Sequence, residues 1–147
     1  MFYKNLLIVA FLALAFFVLD SKAQVNQNQN IPTLTYSELI QNKESYLGKM
    51  VRVKAVWTYG FELTYFCDLE CKNRDDKAWI DLVDEDELCK GSKGKLKKMG
   101  KKFDNRAEVI VVGKLIGGER YGHENGYNYQ FVINCVEKFK KLPARTG

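Results

Sequence analysis

Of the 147 residues, 23 are basic and 18 acidic, giving a net charge of +5 at pH 7 with the single histidine neutral. So mild an excess predicts solubility and creates no requirement for a polyanionic partner. The length holds one domain and excludes a second.

The first expected element is a leader. Lys4 precedes an uninterrupted apolar run over residues 6–19, and Ser21 and Ala23 occupy the −3 and −1 positions of a cut after Ala23. This is the plan of a cleavable signal peptide, residues 1–23, and it predicts a secreted or periplasmic protein. At 14 residues the run is shorter than the roughly 20 that a spanning helix needs. No stable membrane span is therefore expected after cleavage, and no cysteine stands at the cut to carry a lipid. Losing Lys4, Lys22 and Asp20 leaves 124 residues and takes the net charge from +5 to +4.

The polar stretch after the cut predicts a disordered lead-in over 24–33. In "TYSELIQNKESYLGK" Thr35 and Glu38 have capping-box spacing, and Leu39, Ile40 and Gly48 complete the signature of a short helix. "MVRVKAVW" alternates Val51, Val53, Ala55 and Trp57 against polar neighbours, a strand with one wet face that ends at Gly60. "FELTYF" reads as a second strand, with Phe61, Leu63 and Tyr65 on one side, followed by a charged loop from Cys67 to Lys77. "AWIDLVD" is a third, with Ala78, Ile80 and Leu82 opposite Trp79, Asp81 and Val83.

Between Asp84 and Arg106, Leu96, Met99 and Phe103 recur at helical steps, predicting a short amphipathic helix limited by Gly94 and Gly100. "EVIVVGKLI" is a fourth strand. The glycine-rich "GERYGHENG" is expected as a loop, and "YNYQFVINCVEKF" as a long final strand with Tyr129, Phe131, Ile133 and Cys135 on one side. Residues 141–147 are expected to fray. The order of helix, three strands, helix and two strands is that of an all-β, five-stranded OB-like Greek-key barrel over 34–140. One helix precedes its first strand, and another lies between its third and fourth.

The four cysteines, Cys67, Cys71, Cys89 and Cys135, all follow the expected cut, so export places them where thiols pair. Two disulfides in any of three connectivities are open. The C-x-x-x-C spacing of Cys67 and Cys71 is wrong for a redox or zinc motif.

Further pieces carry a resemblance. "SYLGKMVRVKAVW" resembles the Tyr-x-Gly-Lys-x-Val-x-Val-x-Gly opening of small OB-fold domains of the tRNA-anticodon-like type, and of secreted bacterial proteins built on that barrel. "AWIDL", "EVIVVGKL" and "YQFVINCVEK" fit its later strands, and Ala55 departs from it where glycine is usual. The resemblance implies the barrel, and a ligand face made by the second and third strands with the loops joining strands one to two and four to five. It does not imply RNA binding, because a fold does not set a function and this chain is expected to be exported.

His123 falls in the loop before the final strand. Catalysis there would need a nucleophile or a substrate proton within reach and an orienting group. Glu62, Glu119 and Glu124 are candidate orienters, but no serine or cysteine nucleophile motif accompanies them. The simpler reading is that Gly122 and Gly126 allow a tight turn that His123 ties together.

Trp57, Tyr59, Tyr65, Trp79, Tyr121, Tyr127 and Tyr129 are expected on or near the binding face, some of them as packing. The lysine run over 90–102 suits phosphates or an acidic polymer and reads more simply as a solvated face. "DLVDEDE" lacks the spacing of a calcium loop. Arg52, Arg74, Arg106, Arg120 and Arg145 do not match the pattern of a calcium-dependent nuclease. No metal or cofactor is expected.

The reading is a non-catalytic binding module whose contact surface contains Tyr59, Glu62, Trp79, Tyr121 and His123. Its partner is an envelope or extracellular ligand, protein or oligosaccharide, with nucleic acid disfavoured by export. A metal-dependent secreted hydrolase is the catalytic alternative.

Overall fold

The computed structural model describes residues 31–60, 62–70, 75–98 and 105–143. The chain divides into two units, Met1–Asn30 and Ile31–Gly147, and every described residue belongs to the second. The expected signal sequence and its cut lie outside the described residues, as do Phe61, Cys71, Met99 and Phe103.

In chain order the elements are β1 (Thr33–Thr35), α1 (Tyr36–Gln41), α2 (Lys43–Tyr46), β2 (Met50–Gly60), β3 (Leu63–Cys67) and β4 (Ala78–Leu82). They continue with α3 (Ser92–Lys97), β5 (Asn105–Tyr121), a 3-10 turn at His123–Asn125 and β6 (Tyr127–Leu142). The fold is all-β with short helices. Among the described residues no helix is long and apolar enough to cross a membrane.

The expected lead-in ends earlier than its composition suggests. Thr33–Thr35 form a sixth strand, paired in parallel with Arg52–Lys54 of β2. β3 covers that edge of β2 only from Val56 to Gly60, so the backbone groups further back are open to a second partner. The predicted helix starts where its capping box says. Thr35 Oγ1 accepts from Glu38 N at 3.2 Å, and Glu38 Oε2 accepts from Thr35 N at 2.7 Å, which holds the Glu38 carboxyl below its usual range. The helix breaks into two at Asn42, whose φ of −113° and ψ of 26° leave the helical region.

Strand pairing runs round a ring. β2 pairs antiparallel with β5 over Met50–Tyr59 and with β3 on its other edge; β3 pairs with β4, β4 in parallel with β6, and β6 antiparallel with β5. The narrowest joint is between β3 and β4, where Tyr65 faces Trp79 and Phe66 faces Ala78. Inside lie Val51, Val53, Trp57, Phe66, Ile80, Val109, Leu115, Phe131 and Ile133, and α1 adds Tyr36, Leu39 and Ile40. Burial pushes the Tyr36 phenol well above its ordinary range, and its hydroxyl donates to the Asp76 carbonyl at 2.6 Å. β5 bends across β6 at irregularities beside Val111 and Gly113. A Cβ at Gly113 would run into the Val132 carbonyl oxygen and the Phe131 ring, so this crossing needs glycine.

Two expectations about the last third are corrected. The glycine-rich segment is mostly strand: β5 continues to Tyr121 and only the His123–Asn125 turn separates it from β6. Glycines are read as loop, but pairing with β6 reaches Gly117 and, beyond an irregularity, resumes at Tyr121↔Tyr127, so the segment between is held extended from both ends. Lys141 and Leu142 do not fray, because they pair with Ala107 and Arg106 at the start of β5. Residues 144–147 lie outside the described residues.

Cys89 and Cys135 form a disulfide between the segment before α3 and β6, and Cys67 is also disulfide-bonded. Beside the first bridge, the fully buried Ser92 accepts a hydrogen bond from Val136 N at 2.9 Å, fixing the start of α3 to β6.

Candidate functional site

The pleat decides which side chains share the outer face of this sheet, because directly paired residues point the same way. Thr58 of β2 pairs with Tyr65 of β3, Tyr65 with Trp79 of β4, Trp79 with Gln130 of β6, and Gln130 with Ile116 of β5. One row therefore runs Thr58, Tyr65, Trp79, Gln130, Ile116 across five strands, while the neighbouring residues Trp57, Phe66, Ala78 and Phe131 fill the inside. Tyr65 and Trp79 are half-buried, and Leu63, two residues along β3 on the Tyr65 side, is exposed.

Aromatic and polar groups surround that row. Tyr127 lies 5.4 Å from Trp79 and 6.1 Å from Tyr65, ring centre to ring centre. The Lys77 ammonium sits 4.6 Å from the centre of the Tyr65 ring. Gln130 Nε2 donates to Asp81 Oδ2 at 3.0 Å, and Arg120 donates to Asn128 Oδ1 at 2.6 Å and to the Asn125 carbonyl at 2.8 Å. The Gln130–Asp81 pair borders the aromatic row, and both pairs contain planar hydrogen-bonding groups.

Two turns meet at one end. His123 Nε2 lies 3.4 Å from Glu62 Oε2, which joins the β5–β6 turn to the β2–β3 turn, and 3.9 Å from Glu124 Oε1. Glu62, Glu124 and Asn125, with φ of 57°, 53° and 54°, are the non-glycine residues with left-handed backbone among the described residues. Each costs of order 1 kcal/mol, and such strain gathers at sites where a turn must hold one shape. Gly122, with φ of 73°, lies flat on Trp79; a Cβ there would enter the indole ring. The β5–β6 turn is thus held at Trp79 by the missing side chain of Gly122 and at Glu62 by His123.

The imidazole and both carboxylates facing it are largely exposed, an arrangement that suits a clasp between turns. Because both partners are in solvent, the clasp contributes little to folding. His123→Ala is expected to cost under about 1 kcal/mol in chemical denaturation. A loss several times larger would mean that the pair carries the fold.

The expected contact residues divide. Glu62 and His123 come together, Trp79 joins them through Gly122, and Tyr121 pairs with Tyr127 at the neck of the hairpin. Tyr59 does not join them: it pairs with Thr64, on the Trp57 side of β2 and away from Tyr65 and Trp79. Trp57 is core, its Nε1 donating to Thr64 Oγ1 at 2.9 Å. Sequence reasoning missed Gln130, Ile116 and Lys77. The alternation of Asn128, Gln130 and Val132 against Tyr129 and Phe131 was the available signal for Gln130. A half-open cavity of about 350 Å³ lies elsewhere, lined by residues that include Thr35, Tyr36, Lys54, Val56, Leu69 and Glu108. Among the described residues no group of three or more His, Cys, Asp or Glu is placed to hold a metal ion.

Compared with family models, with curated proteins and with solved structures, the chain finds no match.

Proposed function

We propose that the protein is an exported OB-type barrel acting as a non-catalytic binding module, and that the Tyr65–Trp79–Gln130 row holds an uncharged oligosaccharide. The barrel reading is supported by strand order. Leaving β1 aside, the ring runs first, second, third, fifth, fourth and back to first; its third and fifth strands are parallel, and α3 lies between the third and fourth. The observation that carries the binding reading is the outer row itself, on the second and third strands of that ring, with the two strained turns meeting at its end.

Sugar rings present C–H faces to aromatic side chains and hydroxyls to planar polar groups, and the row supplies the first while Asp81, Gln130 and Asn128 supply the second. Glu62, Glu119, Glu124 and Asp81 oppose a phosphate backbone, which ranks nucleic acid lower.

Trp57 is buried and Trp79 half-buried, so ligand-induced change in tryptophan emission reports Trp79. A panel of neutral oligosaccharides is expected to contain one that quenches emission saturably and without salt dependence. Trp79→Ala is expected to weaken its binding, measured by calorimetry, at least about tenfold, a loss of roughly 1.4 kcal/mol. Salt-dependent quenching by single-stranded nucleic acid alone, or sugar binding that Trp79→Ala leaves intact, would sink the proposal.

A further inference from the structure

We infer that a second surface, formed by α3 and the last third of β6, docks on an anionic phospholipid membrane. The run of lysines around α3 has no evident purpose by itself, but the fold places it beside another. Cys89–Cys135 and the Ser92–Val136 hydrogen bond fasten the start of α3 to β6, and two residues beyond Val136 the strand carries Lys138, followed by Lys140 and Lys141. Lys90, Lys95, Lys97 and Lys98 flank or belong to α3.

None of these seven lysines forms an ion pair with a carboxylate among the described residues, whereas Lys93 is paired with Glu85 at 3.4 Å. All but the half-exposed Lys95 are exposed. Lys140 stands opposite Glu108 of β5, and the remaining exposed like charges on these adjoining segments oppose folding, a repulsion that an external array of negative charge relieves.

The chemistry of the surface favours lipid headgroups over a nucleic-acid strand. Lysine is a compact, hydrated point charge on a flexible stem, suited to a fluid array of headgroups, whereas strand recognition uses guanidinium forks and aromatic platforms. The aromatic ring within the β6 part, Phe139, packs against the core and is not available to stack on bases. The lysines extend over a helix and a strand, and each lysine near an anionic membrane strengthens binding several-fold.

Cosedimentation of the full chain with vesicles tests the inference. Phosphatidylcholine vesicles are compared with vesicles containing phosphatidylglycerol, at low and high salt. The expected result is binding to the anionic vesicles that exceeds neutral binding and falls with salt. Neutralising either pair, Lys97→Gln with Lys98→Gln or Lys138→Gln with Lys140→Gln, is expected to lower anionic binding roughly tenfold or more. Trp79→Ala is expected to leave it unchanged, which separates this surface from the sugar site. The apolar segment over 6–19 is common to parent and variants, so the differences between them report the lysines. Equal binding to both vesicle types overturns the inference, as does anionic binding that both neutralised pairs leave unchanged. Tighter retention on single-stranded nucleic acid than on anionic vesicles at equal salt also overturns it.

Discussion

Phe66→Ala is expected to remove about 3–5 kcal/mol of folding stability, the largest loss from any single substitution considered for this protein. Phe66 is fully buried, and its ring centre lies 5.3 Å from that of Phe131, 5.9 Å from Trp57 and 6.2 Å from Tyr36. It is the meeting point of β3, β2, β6 and α1. Cavity formation alone accounts for most of the loss, but the location adds to it. β3 and β4 are joined through Tyr65↔Trp79 and Phe66↔Ala78, so the substitution falls on the joint with the least backbone support. The outer row passes through the same joint, and loosening the inner side should therefore reach Trp79. Urea denaturation of the variant should show a lowered midpoint with an unchanged slope, and tryptophan emission of the folded variant should shift to the red. A loss under about 1.5 kcal/mol would mean that the ring of strands is held elsewhere.

The elements that could be read from sequence are those whose local pattern and tertiary environment agree. The Thr35–Glu38 capping box and the alternation of Val51, Val53, Ala55 and Trp57 each name an element and its inner face, and the structure places both as expected. Disagreement arises where long-range pairing overrides composition. Thr33 and Leu142 sit in segments that read as chain ends, yet β2 and β5 supply partners for them. The Gly117–Tyr121 stretch looks like a loop because its glycines outweigh its apolar residues, and the β6 pairings at its two ends, Gly117↔Tyr129 and Tyr121↔Tyr127, keep it extended.

The site was legible in part for the same reason. Glu62, Trp79, Tyr121 and His123 belong to segments that the resemblance to OB-fold domains implies for one ligand face. Alternation in β2 puts Tyr59 on the side of Trp57, opposite Thr64, and not on that of Thr58 and Tyr65. Alternation in β6 sets Gln130 apart from Tyr129 and Phe131, but only the register places it beside Trp79 and brings Ile116 into the row.

Breaking the Cys89–Cys135 bridge, with both residues replaced by alanine, is expected to cost about 4 kcal/mol. The bridge spans 46 residues, and the entropy that such a loop regains in the unfolded chain sets that figure. The loss should appear as a lowered denaturation midpoint, and reducing agent should lower the midpoint of the parent more than that of the variant, which keeps only the bridge at Cys67. A local consequence should accompany it. α3 is six residues long, too short to persist by its own hydrogen bonds, and depends on packing for its position. Without the bridge, Ser92 and half-buried Leu96 must hold it to the rest of the fold, while its lysines repel those of β6. Amide exchange over 92–97 should therefore accelerate more than exchange over β2 or β5. Uniform acceleration across all strands would show that the bridge acts only through the unfolded chain, and that α3 is secured without it.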